Sequence, residues 1–238
     1  MFELKNAGKE FQQRWLFKNL NLTAHAGDFI SILGPSGCGK STLLRILSGL
    51  DTVSEGSFST SSQDPSGFVF QESCLLPWLN VFENVALGAT QRQGRDSHAA
   101  ITKILEVVKL TDAAQLFPRQ LSGGMKMRVS IARALVNNKK ILFMDEPFAA
   151  LDDFTRFELQ DELLEYWRQY NMTIFFVTHS LSESVFLSQK LWLFPQGQQK
   201  TFQEWVLEKP STAANSYRNS AEYFQTVTTV TEHLRVKK

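Results

Sequence analysis

Four short apolar runs punctuate the chain: "DFISIL" at 28–33, "GFVF" at 67–70, "ILFMD" at 141–145 and "MTIFFVT" at 172–178. Each is rich in Ile, Val and Phe and of strand length, the pattern of strands buried on both faces of a parallel sheet. Between them the apolar period changes to that of a helix. "STLLRILSGL" follows the first of these runs and a glycine loop; Ile101, Ile104, Leu105 and Val108 form one stripe, and Leu159, Leu163, Trp167 and Tyr170 form another. Strands alternating with helices predict an α/β architecture. From Val81 to Val136 the pattern is helical without a convincing strand, which predicts a helical sub-lobe inserted into the core. "STSSQDPSG" at 59–67 reads as a polar loop. Weak periodicity over 196–238 predicts a C-terminal strand and helix.

The 238 residues suffice for one large domain or a domain with a sub-lobe. A net charge of +1 without a dense basic block argues against a nucleic-acid groove. No apolar stretch reaches the ~18–20 residues that span a membrane, and the first ten residues carry no signal-type segment. The two cysteines, Cys38 and Cys74, do not make a disulfide framework, so a reducing, cytoplasmic location is expected. Nineteen phenylalanines and five tryptophans exceed what a core requires. Trp78 and Phe82 lie in a connecting segment, where clustered aromatics would form a docking face.

"GPSGCGKS", Gly34 to Ser41, matches G-x-x-x-x-G-K-[ST], following a strand run and opening a helical one. In such a loop the backbone of Gly34, Pro35, Ser36, Gly37, Cys38 and Gly39 wraps phosphates with its N–H groups, helped by the helix dipole. Lys40 reaches the β- and γ-phosphates, and Ser41, followed by Thr42, offers a hydroxyl to Mg²⁺. This predicts a nucleoside-triphosphate site. "ILFMDEP" ends a buried run in two carboxylates. Asp145 is placed to hold Mg²⁺, and alternation along a strand would turn Glu146 elsewhere, toward an attacking water. Gln71 and His179 also follow strands, and strand C-termini in a parallel sheet converge on one ligand edge. Gln71 would hold Mg²⁺ or the attacking water, and His179 would contact the γ-phosphate. "LSGGMKMR" at 121–128 offers a second anion-binding helix start, through the Ser122 side chain and the Gly123 and Gly124 amides.

With these motifs in order, the chain resembles the nucleotide-binding subunits of ATP-binding-cassette (ABC) transporters, from about Phe2 to Phe194. Gly34–Ser41 looks like Walker A, Ile141–Glu146 like Walker B with its catalytic glutamate, and Gln71 like the Q-loop. "LSGGM" looks like the signature motif, "ALD" at 150–152 like the D-loop, and His179 like the switch histidine. "FMDEPFAALD" and "LLPWLNVFENVALG" look most like the ATPase subunits of nitrate, sulfonate and taurine importers.

The resemblance implies a P-loop NTPase fold of the ABC type: a mostly parallel core sheet, a small antiparallel β region and an inserted helical subdomain. It implies a single domain over 1–238, with an α/β core at 1–80 and 137–200, a helical subdomain at 81–136 and an extension at 201–238. It further implies that ATP and Mg²⁺ bind between Walker A of one copy and Ser122, Gly123 and Gly124 of a second, with Asp152 at the dimer site. Glu146 would activate water, with His179, Gln71 and Lys40 assisting. Phe11 occupies the place of the adenine-stacking aromatic, with Trp15 and Phe17 as competitors. Expected partners are a second copy, integral-membrane permease subunits reached through the segment after Gln71, and an external solute-binding protein, at the inner face of the cell membrane.

Met127, Ala149 and Ser180 depart from the family pattern, and the segment from Gly49 to Gln71 is short. The rivals are a non-transport ABC ATPase of the DNA-repair or translation type, an exporter subunit, and a nucleotide-binding regulator that does not hydrolyse. The first usually carries a long coiled-coil insertion or two cassettes, and neither is seen in this sequence. Intact Gln71, Glu146 and His179 oppose the last.

Overall fold

The computed structural model describes residues 1–62, 65–89, 95–136, 139–194, 202–207 and 217–236. These fall into two units, the first comprising 1–63 and 163–238, the second 64–162.

The first unit begins with a hairpin that periodicity did not mark. Strands β1 (Phe2–Phe11) and β2 (Arg14–Ala24) pair antiparallel, with Phe11 opposite Arg14. The turn between them is Gln12–Gln13, with φ of 48° and 61°. Two successive positive φ values make the type I′ turn that matches strand twist; the usual signal for it is Asn-Gly, so two glutamines conceal it. Strand β4 (Glu55–Thr60) pairs with the other edge of β1, giving an antiparallel sheet in the order β2-β1-β4.

Two of the apolar runs, 28–33 and 172–178, supply parallel strands of this unit. Strand β3 (Phe29–Leu33), buried throughout, lies between β7 (Thr173–Val177) and β8 (Lys190–Leu193), parallel to both. A last strand, β9 (Gln203–Val206), adds antiparallel to β8. Aromatics fill the space beside it. The Phe175 ring meets Phe2 edge-on at 5.0 Å and lies 5.9 Å from Trp192. Trp167 packs edge-on to Phe29 at 5.8 Å and donates its indole N–H to the Gly27 carbonyl at 2.9 Å. Helix α1 (Lys40–Leu47) buries Leu43, Leu44, Ile46 and Leu47.

In the second unit β5 (Ser66–Val69) runs parallel to β6 (Ile141–Asp145). Around them are helices α2 (Val81–Ala86), α3 (Arg95–Val107) and α4 (Gly123–Leu135). Among the described residues between 81 and 136 there is no strand. Asn80 and Glu83 cap α2 reciprocally, each bond 2.8 Å. Ile101, Ile104, Leu105 and Val108 are buried, as their spacing requires. The chain passes from the second unit back to the first within α5 (Asp153–Tyr170) and continues through α6 (Leu181–Leu187) to α7 (Ala221–Val236). Among the described residues no helix is long and apolar enough to cross a membrane.

Candidate functional site

Strand β3 ends at Leu33, and the phosphate-type loop begins at once. A Cβ on Gly34 would sit 2.8 Å from the Cys38 sulfur and collide with Phe194, so only glycine fits there. Gly39 caps α1 with φ 106° and no side-chain hydrogen bond, and the first turn of the helix carries no acidic residue. That helix start therefore keeps its N–H groups and partial positive charge for an anion. Lys40 is 6% exposed, and its ammonium donates to the carbonyls of Gly34 at 2.9 Å and Pro35 at 3.0 Å. Burial pushes the Cys38 thiol up, with Lys40 opposing, so the thiol is protonated at neutral pH.

Beside the loop is a cavity of about 220 Å³, lined among others by Arg14, Trp15, Phe17, Cys38, Phe194 and Phe202. It has room for one end of a ligand rather than for a whole drug-sized molecule. Trp15 is held in place: Lys18 lies 3.8 Å over its ring, and a Cβ on Gly8 would come within 2.9 Å of it. Phe11 is 61% exposed and does not line the cavity. Arg14, Phe194 and Phe202 were not marked by the sequence: none belongs to a motif, and only the fold brings them to the loop.

His179 is exposed at the end of β7, in a turn tied on both sides. Thr178 donates to the Glu183 carboxylate at 2.6 Å, and the Ser180 N–H donates back to Thr178 Oγ1 at 3.0 Å. Ser180, the departure after the histidine, caps α6 by accepting from the Glu183 N–H at 3.3 Å. Aspartate and serine are equivalent in that role.

The second unit carries the other candidates. Asp145 ends β6, half-buried, and Glu146 follows with φ 47°. Glu146 thus lies beyond the strand, in a left-handed turn. A glutamate in that region is strained, a condition that clusters at functional sites. Gln71 is exposed, two residues beyond β5. The segment after it is anchored from α4 and α2. Arg133 donates to the carbonyls of Ser73 at 2.7 Å and Cys74 at 2.8 Å. Asn84, fully buried, accepts from the Leu76 N–H at 2.8 Å and donates to the carbonyls of Leu76, Leu79 and Asn80. Neither anchor has a sequence signal; each reads as an ordinary polar residue of a helix.

Ser122 caps α4 by accepting from the Met125 N–H at 3.2 Å, and Gly123 and Gly124 form the first turn. A Cβ on Gly124 would strike the Thr155 side chain. Met127 is buried, 4% exposed, so this departure serves the core of the unit. Asp152 caps α5 by accepting from the Thr155 N–H at 3.0 Å, and that bond holds its carboxyl below the usual range. Ala149 is exposed.

Ser41, Gln71 and Asp145 offer hydroxyl, amide and carboxylate oxygens, the hard donors that suit Mg²⁺. Among the described residues there is no group of three or more His, Cys, Asp and Glu that could hold a metal. Oxygen donors of these types suit an ion that takes its remaining ligands from phosphate and water.

The family profile for "ABC transporter" matches residues 17–149. The aliphatic sulfonates import ATP-binding protein SsuB of Bacillus licheniformis is 42% identical over 193 residues, 79% of this chain and 75% of that protein. A counterpart named SsuB 3 from Pseudomonas savastanoi pv. phaseolicola is 41% identical over 201 residues, 82% and 73% of the two chains. Among solved structures, the dimeric ATP-binding cassette MJ0796, in a post-hydrolysis state bound to ADP and Pi, superposes with a TM-score of 0.75 at 32% identity, covering 88% of this chain and all of that one (100%). A metal-chelate type ABC transporter in an inward-facing conformation gives 0.78 at 25% identity, covering 96% and 88%. With the loop, the strand-end carboxylates and the helix-opening Ser-Gly-Gly in place, the chain belongs to the ABC transporter family, as an ATP-hydrolysing cassette.

Proposed function

We propose that this chain energises import of an aliphatic sulfonate or similar small anion. The observation that carries the reading is the identity above 40% to cassettes named for aliphatic sulfonate import. In this reading two copies close on ATP. The Gly34–Thr42 loop and Lys40 of one hold the phosphates, and Ser122, Gly123 and Gly124 of the other meet the γ-phosphate. Closure is then favoured only while that phosphate is attached, which makes hydrolysis the opening step. Glu146 accepts a proton from the attacking water, Gln71 orients it, and His179 and Lys40 stabilise the charge that develops on the phosphate. Ser41, Gln71 and Asp145 would hold Mg²⁺, which supplies charge neutralisation at the phosphates. Asp152, in its cap, fixes the approach of the second copy.

Trp15, rather than Phe11, is assigned to the adenine, because it lines the cavity beside the loop. The helical stretch 81–136 acts as a subdomain, and the exposed Trp78, in the segment held by Asn84, faces permease subunits at the cytoplasmic side of the membrane. An external solute-binding protein completes the system and selects the cargo.

The test is complementation of a strain lacking its sulfonate-import cassette. Coexpressed with a sulfonate permease and its solute-binding protein, the wild-type chain should restore growth on an alkanesulfonate as sole sulfur source. The Glu146→Gln variant should bind ATP and fail to restore growth. Growth restored by that variant, or no growth restored by the wild-type chain, would sink the reading.

A further inference from the structure

The C-terminal helix is bound to the turn that presents His179. The Tyr223 hydroxyl donates to the Ser182 carbonyl at 3.1 Å, in the first turn of α6. Ser182 Oγ is in turn 2.9 Å from Ser180 Oγ, the cap immediately after His179. The contact is built, not incidental. Tyr223 is 8% exposed, Tyr217 4% and Phe186 1%. The Tyr223 ring meets Phe186 and Tyr217 edge-on, and the Arg218 guanidinium lies 3.6 Å over the Phe186 ring. Burial pushes the Tyr223 phenol up, so it remains a donor at neutral pH.

The helix that brings Tyr223 here is a poor one by composition. Residues 226–231 read "TVTTVT", six β-branched residues in succession, each less favourable in a helix than alanine. Thr226, Thr228, Thr229 and Thr231 all donate their hydroxyls to the carbonyl four residues earlier, at 2.7–2.9 Å. Such a helix persists through tertiary packing rather than through propensity. Its docking and the order of the α6 start are therefore coupled.

We infer that Tyr223 is a positioning residue for ATP hydrolysis, acting through the Ser180–Ser182 turn on His179. Docking of α7 steadies the turn that carries His179, one residue before the Ser180 cap of α6, and holds it where the γ-phosphate is presented. The inference rests on the proposed role of His179. Tyr223 lies on α7, outside both the phosphate loop and the cavity beside it, so its effect falls on the chemical step and not on ATP affinity.

The experiment compares Tyr223→Phe, His179→Ala and the double variant in the full chain, by single-turnover ATP hydrolysis so that slow variants stay measurable. Expected for Tyr223→Phe is a roughly three- to tenfold fall in rate, the scale of one lost partly buried hydrogen bond, with KM for ATP unchanged. In the His179→Ala background the same substitution should have no further effect. Amide exchange at 178–184 should rise in Tyr223→Phe, with overall helicity retained. An unchanged rate, a loss additive with that of His179→Ala, or a KM that rises in step overturns the inference. A wild-type rate in His179→Ala overturns both the inference and the reading of the site, which separates the two failures.

Discussion

Asn84 allows a stability prediction whose size follows from its hydrogen bonds. Replacing it by alanine deletes one acceptor and three donor contacts from a fully buried position. The consequences differ among the partners. The Leu76 carbonyl keeps the Leu79 N–H at 3.2 Å, and the Asn80 carbonyl keeps the helical bond from the Asn84 N–H at 2.9 Å. The Leu76 N–H and the Leu79 carbonyl lose the bonds that Asn84 gives them. At about 1–3 kcal/mol for each buried group left unpaired, and with some access of water to this loop, the cost is about 2–4 kcal/mol. That is a large share of a typical total of roughly 5–15 kcal/mol. For a chain of this size it corresponds to a fall in Tm of about 5–12 °C, measured by thermal unfolding followed by circular dichroism. Asn84→Asp should be worse near neutral pH. It retains the acceptor for Leu76 but turns a carboxylate toward carbonyl oxygens. A fall below about 2 °C for alanine, or an aspartate variant more stable than the alanine one, would refute the assignment of Asn84 as the clamp of this loop.

Three more substitutions test the site. Trp15→Ala should weaken ATP binding about tenfold or more, the scale of a lost aromatic stack, while Phe11→Ala leaves it within about twofold; a fluorescent-nucleotide titration in which Phe11 mattered more would reverse the assignment. Asp152→Ala should lower the unfolding midpoint at neutral pH by removing the α5 cap. Because the folded-state pKa of Asp152 is depressed, the cap contributes fully above the unfolded value of about 3.9 and fades as pH falls through the folded one. The gap between variant and wild type should therefore close in acid, and a gap that widened there would contradict the cap.

The parts of the fold visible in the sequence were those set by burial on both faces. Runs such as Phe29–Leu33 and Thr173–Val177 have one reading because a continuous apolar stretch of that length has few other places to go. The Gly34–Ser41 loop was equally visible, since its chemistry constrains residue type and spacing together. What stayed hidden depended on single backbone angles or on distant partners. The Gln12–Gln13 turn uses residues that rarely adopt positive φ. Trp15 and Phe11 are four residues apart with the same chemistry, and only the fold tells which one reaches the cavity. The 226–231 stretch has strand-like composition, and it is helical because Tyr217, Tyr223 and Val230 are buried. Glu146 was marked by its neighbours, but its left-handed φ of 47° had no sequence signal.

That strain has an evolutionary reading. At φ 47° a glutamate pays for a conformation that glycine adopts freely, a difference of roughly 1 kcal/mol or more. With Glu146 as the proposed base, a screen that rewarded only resistance to heat would favour Glu146→Gly and select against hydrolysis. On the proposed role, selection for activity holds position 146 against the conformational preference of its backbone.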